Sequence, residues 1–141
     1  MVGLYKKKVV LLDADEKARA LRELWVQILL FKNENELRGS LKTIHIDLLI
    51  SRCRQDDMSR CKFLRDFVAA KPTVKSLVLI DCEEAELERR IRSLGVTAVL
   101  NVATEDTFLR DFVSRILGIL PTLDKTYPRM LPAEITAGGL L

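Results

Sequence analysis

The chain has 141 residues, 48% hydrophobic and 30% charged, which suits a single globular domain with a core of its own. A net charge of +3 is too small to imply nucleic-acid binding, and the run Lys6-Lys7-Lys8 reads as the solvated edge of a strand. Three cysteines (Cys53, Cys61, Cys82) without CxxC spacing and a single His45 argue against a zinc site, while the lack of a signal peptide or a membrane-length apolar run points to a reducing cytoplasm.

Val9-Val10-Leu11-Leu12 is a continuous apolar run of the kind that forms a parallel strand covered on both faces. The acids Asp13, Asp15 and Glu16 follow, with Asp15 as the expected helix N-cap. Apolar residues recur at helical spacing from Ala18 to Ile28; "VQILLF" reads equally as the end of that helix or as a second strand. "NENELRGSLKT" is polar, at most a brief helix. A strand is predicted over residues 46–51, an amphipathic helix carrying Phe63, Leu64, Phe67 and Val68, and a further strand over 76–80. A charged helix over 83–95 ends at Gly95, and a strand over 97–101 precedes a last helix over 104–117. In that last helix Thr104 is the expected N-cap, and Phe108, Leu109, Phe112, Val113, Ile116 and Leu117 form the expected buried side. "FLRDFV" occurs at 63–68 and again at 108–113, which reads as two helices meeting the same amphipathic demand rather than as a repeat.

Alternating strand and helix predicts an α/β, doubly wound parallel sheet with helices on both faces, flavodoxin-like. The domain is expected over residues 1–120, followed by a linker or C-terminal extension over 121–141 that holds three of the four prolines.

The strand order, "VVLLDADEKARALREL" as opening unit, "IDLLIS" as third strand and "RSLGVTAVLN" before the last helix resemble the receiver domain of bacterial response regulators. The resemblance implies a five-stranded sheet of order 2-1-3-4-5 and a pocket at the carboxyl ends of the strands. In that family an acidic pair binds Mg²⁺, an aspartate accepts a phosphoryl group, a Ser or Thr and a Lys hold it, and an aromatic on the fifth strand couples the site to a signalling face. Carried over position by position, the acidic pair falls on Asp13 and Ala14, with Asp15 next in line. The phosphoacceptor falls on Arg52, or on Ser51 if the register slips by one, the hydroxyl on Ile80 beside Asp81, the lysine on Val102 and the aromatic on Val99. The distance from Asp13 to Arg52 is short for the family, which implies remodelling between residues 26 and 43.

Asp47 does not replace the missing acceptor, since it starts the strand five residues earlier and lies ~16 Å away at ~3.3 Å per residue. Arg52 is instead expected to pair with Asp13 or Asp15, placing a fixed cation where a metal would bind. The resulting expectation is a non-enzymatic, phosphorylation-independent signalling domain with no cofactor, Mg²⁺ included. It acts through a protein partner or homodimer across the fourth helix, fifth strand and fifth helix, with Glu84, Glu88, Arg89, Arg92, Val99, Phe108 and Arg110 as interface candidates. Direct nucleic-acid or membrane contact is not expected. An output module beyond Leu141 would make the domain the regulatory half of a transcription regulator. Two alternatives stand beside this one. Asp56 or Asp57 accepts a phosphoryl group with metal on Asp13 and Asp15, or the carboxylates of the sheet edge bind a small ligand.

Overall fold

The computed structural model of the chain describes residues 6–81 and 85–119; the expected extension over 121–141 lies outside them. The apolar runs all become strands: β1 Lys7–Leu12, β2 Val26–Phe31, β3 Leu48–Cys53, β4 Lys75–Ile80 and β5 Ala98–Asn101. They form one parallel sheet of order β2-β1-β3-β4-β5. The connecting helices are α1 Ala18–Leu21, α2 Glu34–Leu41, α3 Met58–Ala70, α4 Ala85–Arg92 and α5 Asp106–Leu117. Among the described residues no helix is long and apolar enough to cross a membrane.

The ambiguous segment resolves as a strand. A 3₁₀ turn over Asp15–Lys17 leads into only four residues of α1, and Val26 to Phe31 then pair along the whole of β1. Backbone pairing with a buried neighbour, together with the Ile28 and Leu29 side chains packed on either side, outweighs continuation of the helix. Asp15 is not an N-cap: it is the first residue of the 3₁₀ turn, and the position before it is Ala14, which makes no side-chain cap. Thr104 is not one either; Glu105 precedes α5 without capping it through its side chain. True caps occur at Asn33, which accepts from the Glu36 amide, and at Asp57, which accepts from the Arg60 amide. Gly95 is required after α4, because its φ is +94° and an added Cβ would sit 3.2 Å from Val68 Cγ1.

Each sheet face carries its own core. Val10, Leu12, Leu49, Cys53, Val78 and Ile80 pack under α2, α3 and α4. Val9, Leu11, Leu48, Ile50, Leu77 and Leu79 pack under α1 and α5. The two "FLRDFV" copies use different positions for this purpose. In α3 both Phe63 and Phe67 are buried, whereas in α5 Leu109 and Val113 are buried and Phe108 is 53% exposed. Phe108 therefore does not belong to the buried side of α5, where the sequence pattern had put it.

Candidate functional site

β3 runs two residues further than its expected end, so Arg52 lies inside the strand and Cys53 closes it. Strand alternation then sends neighbouring side chains to opposite faces. Leu48, Ile50 and Arg52 face the α1/α5 side, while Leu49, Ser51 and Cys53 face α3. That alternation divides the residues of the carboxyl edge into two groups.

On the α1/α5 side, the Arg52 guanidinium donates to Glu16 Oε2 at 3.4 Å and to Asp81 Oδ2 at 3.3 Å. It pairs with neither Asp13 nor Asp15. Asp13 Oδ2 is taken by Arg54 at 3.0 Å, and Asp15 is exposed along a shallow cleft with Glu16, Arg19 and Arg22. The reason is local: Asp13 adopts φ +56° and its amide donates to the Phe31 carbonyl, so the chain turns and delivers Glu16 to Arg52. Ala14 is fully buried and Ile80 nearly so, which leaves no oxygen at either position. At the end of β5 the Val102 carbonyl accepts from the ammonium of Lys17, a lysine that is itself buried.

On the α3 side, Arg60 is only 4% exposed and ties three elements together. Its Nε donates to Glu34 Oε2 at 2.7 Å, and its Nη1 donates to the Arg52 carbonyl at 2.6 Å and to Ser51 Oγ at 3.2 Å. Burial of Glu34 works against its ionisation, yet the Arg60 hydrogen bond and charge outweigh it and hold the carboxyl below its usual range. Asp57 Oδ1 accepts both the Arg60 amide and the Ser59 hydroxyl at 2.9 Å. Asp56, Asp57, Gln55, Arg54 and Asp81 line an open cleft of about 550 Å³. Among the described residues no group of three or more His, Cys, Asp or Glu side chains is arranged to hold a metal ion. Asp47 sits at the opposite end of β3, where it accepts from the Lys8 amide at 2.8 Å and pairs with His45.

The interface candidates divide as well. Glu88 and Arg92 pair at 2.7 Å along α4, and Arg89 is exposed beside them. Phe108 stands out from α5, its ring stacked on Phe112 at 6.0 Å. Val99 is not a surface residue, because the α2/α3/α4 core covers it. Arg110 faces α1 and donates to Glu23 at 2.9 Å. Glu84 lies outside the described residues.

Sequence reading missed Glu16, Lys17, Arg54, Arg60 and Glu34. Glu16 was legible as part of an acidic run. Nothing in sequence marks a lysine or an arginine as buried, because that depends on which carbonyl or carboxylate the folded chain brings to it.

No protein-family model matches the chain, and no curated protein sequence does. Solved structures do. A response regulator from Thermotoga maritima is 18% identical with a TM-score of 0.72, over 81% of this chain and 99% of that one. A response regulator receiver protein from Burkholderia phymatum is 21% identical with a TM-score of 0.69, over 84% and 100%. The signal receiver domain of an HD domain-containing protein from Pseudomonas fluorescens is 15% identical with a TM-score of 0.73, over 84% and 91%.

Proposed function

We propose, for a chain with the fold of response-regulator receiver domains, a non-enzymatic signalling module that works by protein contact and needs neither phosphoryl transfer nor a cofactor. The observation that carries this reading is Arg52 held between Glu16 and Asp81, with Arg54 on Asp13. A Mg²⁺ ion wants several hard oxygens converging on one point. Here one acid of the family's pair is Ala14, the other is engaged by a cation, and the acceptor position carries a guanidinium; the residues present do not fit the metal. Asp57 suits phosphorylation poorly, since its oxygen already caps α3. These ion pairs are long or half exposed and add little stability, on the order of 0–1 kcal/mol each. Their effect is to fill the pocket with fixed charge.

The partner that fits best is a second copy meeting through α4, β5 and α5. Glu86 and Glu88 sit in the first turn of α4 and Arg89, Arg90 and Arg92 in the last, so a two-fold axis that sets the two copies of the helix antiparallel lays acid against base, with exposed Phe108 as apolar anchor.

Titration with Mg²⁺ plus beryllofluoride, followed by Trp25 fluorescence and sedimentation, tests the first half. No response is expected; a saturable change lost in Asp13→Ala defeats the reading. Phe108→Glu tests the second half: sedimentation equilibrium should give a weaker dimer than the parent chain, and a monomeric parent chain sinks the homodimer. Incubation with a small phosphodonor should add no mass. A gain lost on substituting Asp56 would instead establish an unusual active receiver.

A further inference from the structure

The alternation that turns Arg52 toward α1 turns Cys53 toward α3, where Cys61 lies in the first turns of the helix. Their Sγ atoms are 3.7 Å apart in a buried contact, and both thiols are free. Cys53 has no exposure, whereas Cys61 keeps 8% and lines a groove of about 410 Å³ with Met58, Lys62, Arg65, Arg90 and Leu94. We infer that Cys53 and Cys61 form a reversible dithiol–disulfide pair, oxidised by a small hydroperoxide entering this groove, and that the disulfide clamps the loop between β3 and α3. Nothing in this chemistry depends on whether the chain docks a partner.

The roles of the two sulfurs follow from their surroundings. Cys61 shares the groove with Lys62, Arg65 and Arg90 and is the more exposed of the two sulfurs, so an oxidant entering there meets it first. Burial, then the neighbouring Cys61, push the Cys53 thiol up to about 12, so it stays neutral and out of reach of the oxidant. In the first step the Cys61 sulfur attacks one peroxide oxygen and the O–O bond breaks. The departing hydroxide takes up the proton that the thiol shed, leaving a sulfenic acid and one water. In the second, Cys53 Sγ attacks that sulfenic sulfur and the S–O bond breaks. The leaving hydroxide collects the Cys53 proton as a second water. Two thiols thus give two electrons and two protons to reduce one O–O bond. The sulfurs must approach from 3.7 Å to ~2.05 Å, a movement within the reach of side-chain rotation. The ring so closed contains Arg54, Gln55, Asp56 and Asp57, four of the residues that line the cleft at the sheet edge.

The test uses the full chain carrying Cys82→Ser, which keeps the third thiol out of exchange. Folded protein is treated with hydrogen peroxide, alkylated, and read by intact mass and peptide mapping. The expected result is a loss of about 2 Da, with the Cys53 and Cys61 peptides linked, reversed by dithiothreitol and absent in Cys61→Ser. Cys53→Ala should let Cys61 run on to the sulfinic acid, a gain of about 32 Da. Sulfinic acid on Cys61 with Cys53 in place, or no mass change at all in folded protein, overturns the pair. Hydrogen exchange across residues 54–60 should slow on oxidation; unchanged exchange in the linked protein overturns the clamp.

Discussion

Asp13 is the one non-glycine residue with positive φ among the described residues, at +56°. Aspartate tolerates that region because its short polar side chain bonds locally, while a β-branched residue clashes there. Asp13→Asn should therefore lie within about 0.5 kcal/mol of the parent in urea unfolding, and Asp13→Val should cost about 1–2 kcal/mol. Equal costs would mean that the Arg54 pair, and not the backbone, sets the requirement. The sequence shows an aspartate after a strand and nothing of its dihedral angle, so a functional motif and a conformational need look alike at this position. Arg52 was legible as a lost acceptor. Its partners were not, since a turn at Asp13 decides whether Asp15 or Glu16 comes within its reach.

At the scale of elements, Arg60 joins α3 to α2 and to the end of β3. Removing one member of a buried ion pair strands the other, so Arg60→Met should destabilise by about 2–4 kcal/mol in urea unfolding. Glu34→Gln should cost less and do so in a pH-dependent way. A carboxyl held below its ordinary 4.5 stabilises the fold above that pH, and the stabilisation fades as pH falls through the lowered folded value. Parent and Glu34→Gln should thus differ most near neutrality and converge under acid; a gap constant with pH removes Arg60 as its cause. Strand β2 shows where local reading stops. "VQILLF" satisfies both periods, and only the partner strand, Lys7–Leu12, breaks the tie. The other strands were readable because a continuous apolar run of four to six residues leaves few alternatives to a sheet covered on both sides. Their ends were less so: β3 gains Arg52 and Cys53 because they pair with Leu79 and Ile80, a contact invisible in one segment alone.

Taken whole, the molecule has a fold similar to that of receiver domains, with ion pairs crossing its carboxyl edge. Restoring a single group should therefore not restore chemistry. Arg52→Asp should remain unlabelled by a phosphodonor, because Ala14, Ile80 and Val102 still lack the oxygens and the ammonium that the reaction uses. It also sets a third carboxylate beside Glu16 and Asp81 and should lower stability by about 1–2 kcal/mol at low salt, recovering as salt screens the repulsion. Labelling of the single variant, read by intact mass, would show that less of the pocket is needed than its geometry implies.

Between Leu12 and Val26 the chain has thirteen residues to leave one strand, climb over a sheet face and re-enter beside it, and parallel neighbours need about a dozen for such a crossing. There is almost no slack. The span holds Asp13, Glu16 and Lys17, whose side chains reach Arg54, Arg52 and the Val102 carbonyl. Their placement is thus fixed by tether length as much as by packing. Losing even two residues here would detach β2, whereas adding two would cost the sheet little and free the carboxylates from their arginines. The charges that fill the pocket are held in place by a rope cut nearly to its minimum.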